Sequence, residues 1–138
     1  DVLARIPLSH LISRQNFGTA ESSLVLEDGL ALILATQKQL RKNSHWSPYI
    51  DLLPANYSLP KYWDPSLLTE HLRNSKFPEE VFEKRRNKMK RLRPLSRQHN
   101  ISLRSLVWAS DAVSTRSMYG KGLGSLMFPV FDLCLQGD

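Results

Sequence analysis

The sequence predicts a mainly α-helical fold with short β-strands at both ends. Three observations carry that expectation. Five segments place apolar residues at helical spacing, each opened by a capping residue or a proline and closed by a proline, a glycine or a polar break. Two short apolar runs, Val2–Pro7 and Leu126–Leu133, lie near the two ends, each with a proline that limits sheet pairing. No internal repeat or low-complexity segment competes with a single compact arrangement.

Taken in order, Val2 to Pro7 reads as a strand ended by its proline, Leu8 to Ser13 as a turn with one helical turn's worth of chain, and Arg14 to Ala20 as loop. Ser22 or Ser23 can cap the first long helix, whose face is Leu24, Leu26, Leu30, Ile33, Leu34 and Leu40. Glu27 and Asp28 stand near its start and Lys38, Arg41 and Lys42 near its end, as the helix dipole prefers. Gly29 inside it costs about 1 kcal/mol relative to alanine, which points to close packing there. Ser47-Pro48 is a cap followed by proline at the first helical position, and Pro54 stops that helix after about two turns. His45 reads as a surface or packing histidine with no other candidate ligand nearby. Ala55 to Trp63 is an extended connector.

Asp64-Pro65 repeats the cap-then-proline device and starts a helix through about Arg73, with Leu67, Leu68 and Leu72 on its face. Pro78-Glu79-Glu80 opens a basic helix with a thin stripe of Val81, Phe82, Met89 and Leu92, and Pro94 is expected to end or kink it. Ser102 caps the last helix, on which Leu103, Leu106, Val107, Ala109 and Val113 fall at helical spacing, while Arg104 and Asp111 suit a solvated side. Gly120, Gly122 and Gly124 end that helix and form a loop. Leu126 to Leu133, with Pro129 inside, is an edge strand or extended run.

The 138 residues are 41% hydrophobic and 23% charged, the balance of one ordinary domain. No run approaches the ~20 apolar residues a membrane span needs, and no signal peptide is visible. The chain opens on Asp1 directly in an apolar run, which reads as a piece of a longer protein. Cys134 is the single cysteine, so it allows no internal disulfide and no cysteine metal cluster. A reducing, intracellular compartment (cytoplasm, nucleus or plastid) is compatible with this.

The net charge of +6 is uneven, since Lys84, Arg85, Arg86, Lys88, Lys90, Arg91, Arg93 and Arg97 crowd into one segment. No aromatic residue lies between Arg85 and Arg97 for base stacking, and no recognition-helix pattern accompanies the run. The segment therefore reads as the solvated face of a surface helix rather than a nucleic-acid site. Arg116, taken alone, is a helix C-terminal cation that favours the macrodipole.

Five short patterns in register carry a resemblance: Arg5-Ile6-Pro7, Trp46-x-x-Tyr49 with Leu53-Pro54, Trp108-Ala109, Thr115-Arg116, and Pro129-x-x-Asp132-Leu133. In order and spacing the chain resembles SET-domain protein methyltransferases of the Rubisco large-subunit methyltransferase class, which includes the actin-histidine methyltransferase. The resemblance implies an α+β SET-domain fold, incomplete here, in which the helical stretch is the insertion. On that reading residues 1–22 are a partial SET strand and connector, 23–119 the helical insertion, and 120–138 a loop and truncated strand.

The resemblance further implies S-adenosyl-L-methionine as cofactor and a protein substrate bearing the methylated lysine or histidine. Arg116 and Asp132 match the class's donor-binding arginine and aspartate. Thr115 matches the small polar residue before the arginine, and Met118 or Tyr119 falls where the class has an aromatic near the substrate channel. After Cys134 the class continues Asn-His, where this chain has Leu135-Gln136. The class's donor loop and its acceptor-orienting tyrosine are also not found, so the expectation is a fragment that is inactive as an isolated chain, with no catalytic residue and no metal ligand assigned. The competing expectation is a non-catalytic helical protein-interaction domain with a basic surface helix.

Overall fold

The computed structural model describes residues 5–14, 26–121 and 124–129. Among the described residues, five α-helices and a three-stranded sheet are delimited, and the mainly helical class expected from the sequence holds. The helices are α1 (Leu26–Leu40), α2 (Ser47–Leu52), α3 (Pro65–His71), α4 (Phe77–Gln98) and α5 (Leu103–Arg116). The strands are β1 (Ile12–Ser13), β2 (Met118–Gly120) and β3 (Gly124–Met127).

The core is built by α1 against α5. Leu30, Leu34, Leu106, Ala109, Ala112 and Val113 are buried there, and Leu92 and Leu95 of α4 close one side. α1 is apolar over most of its girth from Leu30 to Ala35, which suits a central helix packed on several sides. Gly29 is close-packed as its position suggested: a Cβ there would stand 3.2 Å from Nε and 3.3 Å from Cδ of Arg14.

The caps follow the sequence with two shifts. Ser102 accepts the Ser105 N–H at 3.1 Å and Asp64 accepts the Ser66 N–H at 2.8 Å. The helix at Pro48 starts one residue earlier than its cap signal, because Ser47 is already helical and Trp46 is the cap. Pro94 does not end α4. It sits inside the helix with its ring exposed, so the missing N–H costs one bond near the end and no packing. The chain stops instead at Asn100, whose φ of 51° is left-handed. Ile101 N–H reaches Ser96 O at 3.0 Å and Asn100 N–H reaches Arg97 O at 3.4 Å, the two reversed bonds of a Schellman turn. On α3 only Leu68 of the expected face is buried, and Leu67 points to solvent.

The sheet differs most from expectation. Residues 5–7 are irregular rather than strand, and a 3-10 turn at Leu8–His10 leads into β1, inside the stretch expected to be turn. A further 3-10 turn at Pro60–Tyr62 interrupts the expected connector. α5 ends at Arg116, before the glycines, and β2 and β3 form an antiparallel hairpin with Met118 opposite Leu126 and Gly120 opposite Gly124. β1 then joins β3 antiparallel, Ile12 opposite Met127, giving the order β1-β3-β2. β3 is therefore the central strand, and it ends at Met127, before Pro129. Proline is confined to strand margins because it lacks a ladder donor, so the strand stops short of it. Ile12 and Met127 face the helical core.

Candidate functional site

Two places gather chemistry. The first is the junction between α5 and β2. Arg116 is the last residue of α5, a cation where the last carbonyls of a helix lack intrahelical partners. Its side chain is nonetheless buried, with 6% of its surface exposed. Thr115 donates its hydroxyl to the Asp111 carbonyl at 2.9 Å and to the Ala112 carbonyl at 3.1 Å. Its proton is thus held along the helix, and the residue is exposed. Met118 and Tyr119 follow on β2, both exposed, and successive strand residues point to opposite faces. Asp132 lies outside the described residues.

The second place was missed from the sequence. Asp111, read there as solvated, is buried on α5, and three donors from other elements converge on its carboxylate. Lys61 Nζ and Tyr62 Oη reach it from the 3-10 turn, and Lys88 Nζ reaches it from α4 at 2.8 Å. A signal was available: Val107, Trp108, Asp111 and Ala112 share one face at helical spacing, so the aspartate stood in the buried stripe. Burial alone raises the Asp111 carboxyl, but hydrogen bonds from Lys61, Lys88 and Tyr62 outweigh it and hold it below the usual carboxylate range. Burial pulls the Lys88 ammonium down to about 8, with the neighbouring Lys61 charge adding to the effect against the pull of Asp111. Burial, and then the bond to Asp111, push the Tyr62 phenol well above its usual range.

A cleft of about 380 Å³ opens beside this knot. Tyr57, Tyr62, Val107 and Trp108 wall it, with Arg104 and Asn56 as its other polar groups. Trp108 is clamped from two sides, its indole N–H donating to Pro54 O at 2.8 Å and the Lys38 ammonium lying 3.3 Å above the ring. A second internal ion pair joins Arg91 Nε of α4 to the buried Asp28 of α1 at 2.7 Å. Thus Lys88 and Arg91, expected on a solvated face, fasten α4 to α5 and α1.

His45 is an exposed packing histidine, as expected, with its ring 5.3 Å from that of Trp46. The His10 ring lies 5.0 Å from that of His45, and Trp46 donates to the His10 carbonyl at 3.0 Å. Among the described residues no group of three or more His, Cys, Asp or Glu side chains could hold a metal ion, and no described helix is long and apolar enough to cross a membrane.

No protein-family profile matches the chain, and no curated protein matches it. Among solved structures it resembles the crystal structure of the SET domain of LSMT bound to MeLysine and AdoHcy, with a TM-score of 0.73 at 22% identity. The match covers 96% of this chain and 34% of that one, so the chain spans about a third of its neighbour's length. At that identity the likeness establishes the fold: the helices and the small sheet are arranged as in a SET domain.

Proposed function

We propose that this chain is part of a SET-domain, S-adenosyl-L-methionine-dependent protein N-methyltransferase acting on lysine or histidine, of the class the sequence resembles. The observation that carries the reading is the position of Arg116. It combines the class's Thr-Arg pattern, burial at the end of the last helix, and a fold shared with a structure that holds MeLysine and AdoHcy.

The residues fit the donor's chemistry. When bound, S-adenosyl-L-methionine supplies an electrophilic methyl on a sulfonium. Arg116 is a planar guanidinium, so it can take the donor's carboxylate through two parallel bonds, and its burial strengthens that pairing. Asp132 accepts from the donor's amine. Thr115, Met118 and Tyr119, all exposed, border the acceptor side chain. Methyl transfer to a neutral nitrogen depends mainly on in-line positioning, which a rigid helix end provides better than a free loop. The Asp111 knot supports that rigidity by fixing α5 to α4 five residues before Arg116. No residue of this chain is assigned a catalytic role.

Calorimetric titration of the folded chain, checked by circular dichroism, with S-adenosyl-L-methionine and S-adenosylhomocysteine tests the reading. Both ligands should bind, and Arg116→Ala should weaken them at least about tenfold, consistent with loss of a charge-assisted pair. Arg116→Lys should not restore affinity, because an ammonium cannot make the bidentate pair. Equal affinity in wild type and Arg116→Ala, or no binding by a folded chain, would remove the assigned role.

A further inference from the structure

α4 carries two kinds of cation, and the structure separates them. Lys88 turns inward onto Asp111, and Arg91, though still exposed, is neutralised by the buried Asp28. Arg85, Arg86, Lys90 and Arg93 turn outward and have no ion pair among the described residues. With Phe82 and Met89 these four line a groove of about 560 Å³ along the helix.

The spacing explains the groove. At about 100° per residue, Phe82, Met89 and Arg93 share one line along the helix. Arg85 stands on one side of that line, Arg86 and Lys90 on the other. Phe82 and Met89 are half-buried and lie in the floor between long cationic walls, and the Arg and Lys stems extend the apolar surface while their heads stay wet. From Phe82 to Arg93 the line runs roughly 16 Å, about three turns of a second helix.

We propose that this groove docks an acidic, amphipathic segment of a protein partner, its apolar side chains on Phe82 and Met89 and its carboxylates on Arg85, Arg86, Lys90 and Arg93. Charge complementarity chooses the sign. The choice of a peptide over a nucleic acid rests on the floor, since a phosphate backbone has no use for a thioether and a phenyl ring set between the cations, neither of which is placed among stacking aromatics. A carboxylate-bearing helix uses both, in the groove-binding mode where anchors recur every three to four residues. The inference is independent of the donor-site reading and would stand if donor binding failed.

The test is fluorescence anisotropy on the full 138-residue chain with four labelled probes. They are a helical peptide of about sixteen residues with Leu and Glu at groove spacing, the same composition scrambled, poly-glutamate of equal charge, and a duplex DNA of about twenty base pairs. The amphipathic peptide should bind at least about fivefold more tightly than the scrambled peptide and poly-glutamate, and more tightly than DNA at physiological salt. Arg86→Glu/Arg93→Glu should weaken it at least tenfold, and Met89→Gln, which keeps length and removes the apolar contact, at least threefold, with the circular dichroism of each variant unchanged. Failure of the amphipathic peptide to bind, or equal binding of the scrambled peptide, would overturn the proposal. So would tighter binding of DNA, or an unchanged affinity in the charge-reversed variant.

Discussion

Asp111 accepts from two ammonium groups and a phenol that belong to two other elements, so removing it leaves cations crowded in a half-buried space. Asp111→Ala is expected to lower the unfolding free energy by about 3–5 kcal/mol, read from urea denaturation at pH 7. Lys88 adds a pH signature. Its folded value of about 8 lies below the ordinary 10.5, so between those two values the unfolded chain holds a proton that the folded chain has released. Stability therefore rises with pH across that window through Lys88 and is flat below it. Tyr62 acts oppositely above its ordinary value of 10, where the folded chain keeps a proton the unfolded chain loses. Denaturation midpoints should climb from pH 8 toward 10, and Lys88→Met should flatten the climb. At this scale the sequence was legible where the partner is local: Ser102 and Asp64 cap the helices they precede. It was not legible where a charge meets one from a distant segment, as Arg91 meets Asp28, because nothing near either residue marks the other. Arg116 was legible as a helix-end cation, but its burial depends on what packs around α5.

Among the elements, α4 owes its end to one residue rather than to its proline. Asn100 is left-handed, and asparagine tolerates that region better than alanine does because its short polar side chain bonds locally. Asn100→Ala should lower stability by about 1–2 kcal/mol, whereas Asn100→Gly should leave it nearly unchanged, measured as thermal midpoints. The five helices could be read because apolar periodicity, caps and prolines are all local signals. Pro94 misled because a proline can remain in a helix where its ring faces solvent and only one backbone bond is lost. The glycine-rich stretch misled for a related reason. Glycines at 120 and 124 flank a hairpin as readily as a loop, and the choice is made by pairing with β1, more than a hundred residues earlier in the chain.

For the molecule as a whole, stability rests on one helix pair. Leu106 is fully buried between α5 and its neighbours, and Leu106→Ala should cost about 2–5 kcal/mol in denaturant melts. Leu67→Ala, on the exposed side of α3, should change stability by less than about 0.5 kcal/mol. The sheet is secondary to this core, and its edges are short, with two residues in β1 and three in β2. Short edges limit the strand-to-strand association that long open ones invite. The fold class was legible because the helices dominate it, whereas the sheet order was not, since it depends on contacts between opposite ends of the chain.

The clamp on Trp108 has an optical consequence. The chain's three indoles occupy three surroundings: Trp63 is exposed, Trp46 is partly covered beside the His45 imidazole, and Trp108 is buried beneath an ammonium. Burial, together with the Arg104 charge, already disfavours that ammonium on Lys38 against a smaller pull from Asp51. When it gives up its proton, the ring loses the positive charge that lies 3.3 Å from its centre. The emission of the folded chain should therefore shift with pH as Lys38 titrates, and Lys38→Met should remove that part of the shift while leaving the part due to Lys88.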